Sequence, residues 1–146
     1  MARVSTYLNF PRSTEEAFTF YKSIFRSEFT APGIRRFRDI PAHPDQPPLS
    51  EEDKNLVVHM ELPILGGHVL MGTDAPESMG FTVISGNNMF IHLEPDSRSE
   101  TNRLFEALSD GGKVDTPLQE MFWGGYFGSL VDRFEVRWLF NCASKN

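Results

Sequence analysis

The chain has 146 residues, a single cysteine and a formal net charge of −6. That length lets one domain bury roughly two-thirds of its unfolded surface, so no disulfide framework is needed and Cys142 is expected to be a buried or inert thiol in a reducing compartment. No run approaches the ~18 apolar residues of a membrane span, the start Met1-Ala2-Arg3-Val4 lacks an apolar secretory segment, and Arg35, Arg36 and Arg38 are too few to offset the acidic background. The expectation is a cytoplasmic protein with neither membrane nor nucleic acid as partner.

In chain order, residues 4–10 read as a strand that Pro11 ends, and Ser13-Thr14-Glu15-Glu16 has the S-x-x-E form of a helix capping box. Ala17, Phe20, Tyr21, Ile24 and Phe25 then fall at helical spacing and make one apolar face. Strands are predicted at about 28–37, 56–64 and 69–73, with Gly66-Gly67 turning the last hairpin. Between Asp39 and Asn55 the chain is polar and rich in proline, and is expected to be an exposed loop. Residues 75–88 read as an irregular link.

The grammar then repeats. Residues 89–94 read as a strand, Pro95 breaks it, and Ser97-Arg98-Ser99-Glu100 is a second S-x-x-E, 84 positions after the first. Leu104, Phe105 and Leu108 give the second helix its apolar face, followed by strands at about 113–122, 126–131 and 136–142. The predicted class is α+β: one domain over 1–146, with module one at about 1–75, a linker at about 76–87 and module two at about 88–146.

Three groups of residues carry candidate chemistry. His59 and Glu61 alternate along one strand and so share a face. If the Gly66-Gly67 hairpin pairs Ile64 with Val69, Asp74 lies opposite His59. The three could then bind a metal, orient a polar ligand or act as a general base, or else form a cross-strand charge pair worth a few tenths of a kcal/mol. His92 shares a strand face with Phe90 and is either a hydrogen-bonded structural residue or a ligand contact; His43 and His68 are expected at the surface. Thirteen phenylalanines, three tyrosines and two tryptophans suit a large core or an aromatic pocket. Trp123, Tyr126, Phe127 and Trp138 could line such a pocket or fill the core, with Trp123 at its rim because Trp-Gly-Gly ends a strand. No Ser/His/Asp order, Cys-x-x-Cys pair, phosphate loop or His-Glu-x-x-His motif is present, so hydrolase and kinase readings have no support.

Several segments together resemble the PhnB-like branch of the glyoxalase/bleomycin-resistance, or vicinal oxygen chelate, superfamily. They are Tyr7-Leu8-Asn9-Phe10 with Phe20-Tyr21-Lys22-Ser23-Ile24-Phe25, His59-Met60-Glu61-Leu62, Leu70-Met71-Gly72-Thr73-Asp74, Gly111-Gly112-Lys113-Val114 and, most specifically, Phe122-Trp123-Gly124-Gly125-Tyr126-Phe127-Gly128 with Asp132-Arg133-Phe134 and Trp138. The resemblance implies two βαβββ modules forming a curled mixed sheet, with helices on the outer face and a cup for a small molecule. It also implies a homodimer. Such proteins include isomerases, ring-cleaving dioxygenases, thiol transferases and proteins that sequester antibiotics, so activity stays open. The demethylubiquinone methyltransferase label attached to this group finds no glycine-rich strand-to-helix turn here.

Two details depart from the family pattern. Glu135 stands where a glycine is usual, so either the turn changes type or Glu135 takes a strained conformation. The superfamily's usual metal-ligand positions fall near Ser5, Met71, Phe90 and Leu139, none a good ligand for a divalent ion, and only His92 lies near enough to contribute. The resemblance therefore implies no metal or other cofactor, and a ligand-binding set of Met71, Phe90, His92, Trp123, Tyr126 and Trp138. The first reading is a protein that binds a small apolar or aromatic molecule. The alternatives are a metal-dependent lyase, isomerase or dioxygenase, and a structural dimerisation module.

Overall fold

In the computed structural model, which describes residues 1–146, a buried carboxylate fixes where the first helix meets its sheet. The chain divides into two compact units, 1–83 and 84–146. Each unit carries one four-stranded mixed sheet with the first strand parallel to the last, in the orders β1-β4-β3-β2 and β5-β8-β7-β6.

Unit one runs β1 (Thr6–Phe10), α1 (Thr14–Phe25), β2 (Arg35–Arg36), α2 (Glu51–Lys54), β3 (Val57–Pro63) and β4 (Val69–Asp74). Helix α1 packs on β3 and β4, burying Ala17, Phe18, Tyr21 and Ile24 against a sheet face that includes Met60, Leu62 and Leu70. Phe18 is fully buried while Phe20 and Phe25 stay half-exposed, so the buried stripe is rotated from the predicted one. The first capping box does not form: Ser13 makes no side-chain cap bond. Asp74, at the end of β4, caps α1 in its place. Its Oδ1 accepts from the Thr14 N–H at 3.1 Å and the Thr14 hydroxyl at 2.8 Å, and its Oδ2 accepts from the Val57 N–H at 2.8 Å. A negative charge at a helix N-terminus also complements the helix dipole.

Two expectations for this unit change. The strand expected at 28–37 shrinks to Arg35–Arg36, because Pro32 has no N–H to give a ladder and Gly33 sits at φ 92°. The proline-rich stretch is exposed over 40–48 as expected, but its end folds into α2, whose N-cap Ser50 accepts from the Asp53 N–H at 3.1 Å. Asp53 is buried there, its carboxylate accepting from Ser78 Oγ at 2.6 Å and Arg12 Nη1 at 2.9 Å.

Unit two runs β5 (Ile91–Leu93), α3 (Arg98–Ser109), β6 (Lys113–Glu120), β7 (Tyr126–Val131) and β8 (Arg137–Cys142). Helices α1 and α3 are each 12 residues long and occupy 14–25 and 98–109, which keeps the predicted repeat spacing. Here the capping serine works as expected, with Ser97 Oγ accepting from the Glu100 N–H at 3.1 Å. Leu104, Phe105 and Leu108 are buried, as are Leu93, Leu130, Trp138 and Phe140 of the sheet, and the Phe105 and Phe140 rings meet edge to face at 5.4 Å. The β7–β8 turn retains its hairpin: Glu135 adopts φ 69°, a strain of about 1 kcal/mol, and Asp132 holds the turn by accepting from the N–H groups of Phe134 and Val136 at 2.8 and 3.0 Å.

Two predictions follow from this packing. A Cβ at Gly72 would lie 2.6 Å from Phe18 Cε1 and 2.8 Å from Thr14 Cγ2, so Gly72→Ala should lose about 1–3 kcal/mol in denaturant unfolding. Wild-type stability in that variant would mean α1 can lift freely. The second concerns acid. Ser78 and then Arg12 hold the Asp53 carboxyl below its ordinary value, and Arg36 does the same for Glu15. Depressed carboxyls contribute stability that is present above their unfolded values and lost as pH falls through the lower folded ones. The denaturant midpoint should therefore drop below about pH 4, and Arg12→Met should flatten part of that drop.

Candidate functional site

The helix-free face of the unit-one sheet follows from strand alternation. Tyr7, Met71 and Glu61 form one row across β1, β4 and β3. His59 is the next residue on that face, its ring 6.0 Å from Tyr7, and its Nε2 lies 2.8 Å from Glu61 Oε2. A carboxylate only accepts, so Nε2 carries the proton of this bond. The other Glu61 oxygen lies 3.8 Å from Arg3 Nη1. Met71, half-buried, has Ser5 Oγ 3.7 Å from its sulfur.

Asp74 does not join this group. The observed register pairs Pro63 with Val69 and Leu62 with Leu70, one position off the symmetric hairpin expected from Gly66-Gly67. The cause is the turn: residues 65–67 form a 3-10 turn, and Ile64 closes it with an N–H bond to the His68 carbonyl at 2.7 Å instead of pairing with Val69. One step of register moves a side chain to the other face, and Asp74 goes under α1.

Beside His59 and Glu61 is a cleft of about 250 Å³, walled by the loop 30–33, Arg35, His59, Met60 and Glu61. The Thr30 N–H bonds the Glu61 carbonyl at 2.9 Å and Gly33 N–H bonds the Thr30 carbonyl at 2.9 Å, which fixes the loop against β3. Arg35 stands opposite His59 in the β2–β3 ladder. The sequence marked Arg35 only as part of a basic cluster inside a predicted strand at 28–37; the Pro32-Gly33 pair is the signal that could have marked the loop instead.

Unit two presents a different surface. His92, Leu139 and Ser129 form a row across β5, β8 and β7 on its helix-free face, with Phe127 and Asn141 as a pair further along. Trp123, about half exposed at 51%, packs edge to face on Phe127 at 5.8 Å and on Phe122 at 5.0 Å, and its Nε1 lies 3.4 Å from Asn141 Oδ1. Phe90, also exposed, has the Arg137 guanidinium 6.0 Å from its ring centre. Tyr126 and Trp138, expected beside these rings, take the opposite side. Tyr126 donates to Asn102 Oδ1 of α3 at 2.7 Å under the Arg98 guanidinium, and Trp138 is fully buried with its Nε1 donating to Asp132 Oδ2 at 2.9 Å. Nothing in the spacing of the two tryptophans distinguished core from surface. His68 bonds Thr6 Oγ1 at 2.8 Å at the hairpin, and His43 is exposed in the proline loop.

The donor set does not suit a metal. At the positions where the resemblance would place metal ligands, this chain offers a serine hydroxyl near a thioether in unit one, and a phenyl and an isobutyl group in unit two. No three His, Cys, Asp or Glu side chains converge as a cation would need.

Two βαβββ units with these topologies define the glyoxalase/bleomycin-resistance fold. No family model matches the chain. The crystal structure of protein PA1353 from Pseudomonas aeruginosa is 31% identical, covers 97% of this chain and 98% of its own, and superposes with a TM-score of 0.79. A PhnB protein from Bacillus cereus is 26% identical over 97% of this chain and 100% of its own, with a TM-score of 0.73. A glyoxalase/bleomycin resistance protein/dioxygenase family enzyme from Burkholderia phytofirmans, 17% identical over 95% of this chain and 98% of its own at a TM-score of 0.62, shares the fold. The chain belongs to the PhnB-like branch of the glyoxalase/bleomycin-resistance superfamily.

The hydrogen bond to Glu61 is directly testable. Long-range ¹⁵N–¹H spectra of the neutral histidine rings should show His59 protonated at Nε2, and Glu61→Leu should release it to a mixture of tautomers. A ring protonated solely at Nδ1 in the parent would remove Glu61 as its partner.

Proposed function

We propose that the chain binds a small apolar or aromatic molecule without a metal, using the helix-free face of unit two. Trp123 carries this reading. An indole half open to solvent is ordinarily free to rotate, whereas this one is braced by Phe122, Phe127 and Asn141. A ring held in place before the ligand arrives spares binding the loss of rotamer freedom, and stacking adds about 0.5–1.5 kcal/mol beyond area burial. Phe90 and His92 extend the same wall, with His92 as the polar group that would orient a ligand. Chelation of vicinal oxygens, the alternative chemistry of the fold, finds no donor set among Ser5, Met71, Phe90 and Leu139.

The exposed Met89 and Phe122, at 77% and 96%, together with the open edge strands of each sheet, support a homodimer as the working assembly. The single buried thiol of Cys142 suits a cytoplasmic location.

Calorimetric titration with a series of hydroxylated naphthalenes tests the binding reading. Trp123→Ala should weaken binding at least tenfold while the melting temperature stays within a few degrees of the parent, because a core tryptophan cut to alanine would lose about 3–5 kcal/mol. A variant that melts far below the parent would place Trp123 in the core and end this assignment. For the assembly, sedimentation equilibrium at micromolar concentration should return twice the chain mass, and Phe122→Asp should shift it toward the monomer.

A further inference from the structure

The cleft in unit one differs in chemistry from the aromatic face, and its wall lacks the acidic excess of the rest of the molecule. The chain carries −6 overall, yet in this cleft the one acidic wall residue, Glu61, is matched by Arg35, and Arg3 stands next to it. Glu61 is already engaged on both oxygens, by His59 Nε2 at 2.8 Å and by Arg3 at 3.8 Å. The other arginines of the cluster are engaged too. Arg36 forms a two-pronged pair with Glu15 at 2.9 and 3.0 Å, and Arg38 bonds Asn55 Oδ1 at 2.5 Å. Of the three side chains, that of Arg35 alone has no acidic or hydrogen-bonding partner, and it is exposed at the cleft wall.

We infer that this cleft is a binding site for a small carboxylate, held by the Arg35 guanidinium, with the Thr30 hydroxyl and the His59 ring available to a polar substituent. The guanidinium fork matches a carboxylate in two parallel hydrogen bonds, and that match is far weaker for a neutral amide. The volume suits a small ligand. A space of about 250 Å³ is equivalent to roughly eight waters at ~30 Å³ each, enough for a short hydroxy or keto acid. The loop 30–33 is fixed to β3 by the Thr30–Glu61 backbone bond, so the wall exists before a ligand enters. The site lies within one unit and uses none of the residues proposed to bind an apolar molecule, so either proposal can fail without the other.

The test is a titration of the full ¹⁵N-labelled chain with sodium lactate and, separately, with lactamide, the neutral isostere. Lactate should give saturable shifts in the amides of residues 30–35 and 59–61 with a millimolar or tighter dissociation constant, and lactamide should give none. Arg35→Gln should weaken lactate binding at least tenfold, Arg35→Lys should fall between that and the parent, and Trp123→Ala should leave it unchanged. Arg35 is exposed on a strand of two residues, so the melting temperatures of both arginine variants should match the parent. The inference is overturned if lactate gives no saturable shift in the millimolar range, if lactamide binds as well, or if Arg35→Gln binds lactate like the parent.

Discussion

One buried carboxylate sets the geometry of unit one. Asp74 is 3% exposed and joins three pieces of chain that are far apart in sequence: the end of β4, the first turn of α1 and the first residue of β3. A buried charge is tolerated only when hydrogen bonds replace its water, and three donors do so here. Because Asp74 must face α1, the alternation of β4 is set, and Met71 and Thr73 must face the other way. The β3–β4 ladder then puts Glu61 beside Met71 and His59 one step further, on the face that the helix leaves open. The polar cleft is thus a consequence of where a structural carboxylate was placed.

Unit two uses the same kind of solution at a different point. Asp132, also 3% exposed, binds the N–H groups of its own turn and the indole of Trp138, and so ties a hairpin to the core beneath it. That bracing makes room for Glu135 in a backbone region that favours glycine. The two units repeat strand, helix and ladder order, yet their polar anchors are not equivalent. Their open faces consequently differ, with His59, Glu61 and Arg35 on one and Phe90, Phe127 and Trp123 on the other.

What the sequence disclosed depended on the range of the forces involved. The two helices were legible because proline breakers and apolar spacing act within a few residues, and the repeat at 98–109 of the pattern at 14–25 reinforced each. The family resemblance was legible from contiguous motifs. The pairing of Asp74 was not, because it depends on whether Ile64 enters the ladder or closes the turn, and those alternatives differ by a single hydrogen bond to His68. The first capping box was misread for a related reason: Ser13 had the right spacing, but a carboxylate 60 positions away took its role. Trp123 and Trp138 have equal apolar content and sit in equally suggestive surroundings, so only the folded chain separates a surface ring from a core ring. Arg35 became distinct from Arg36 and Arg38 once their partners were known.

The exposed stretch 40–48, without regular structure, interrupts unit one between two halves that nonetheless share a sheet. On one side of it lie β1 and α1; on the other lie β3, β4 and the carboxylate of Asp74. A protease cutting there would sever no ladder bond, and the pieces would remain joined through the β1–β4 pairing and the Asp74 clamp on Thr14. The fold is in this sense already divided into complementary fragments. Two separately produced polypeptides split at that point have the contacts needed to reassemble, and new sequence inserted there would interrupt no ladder bond.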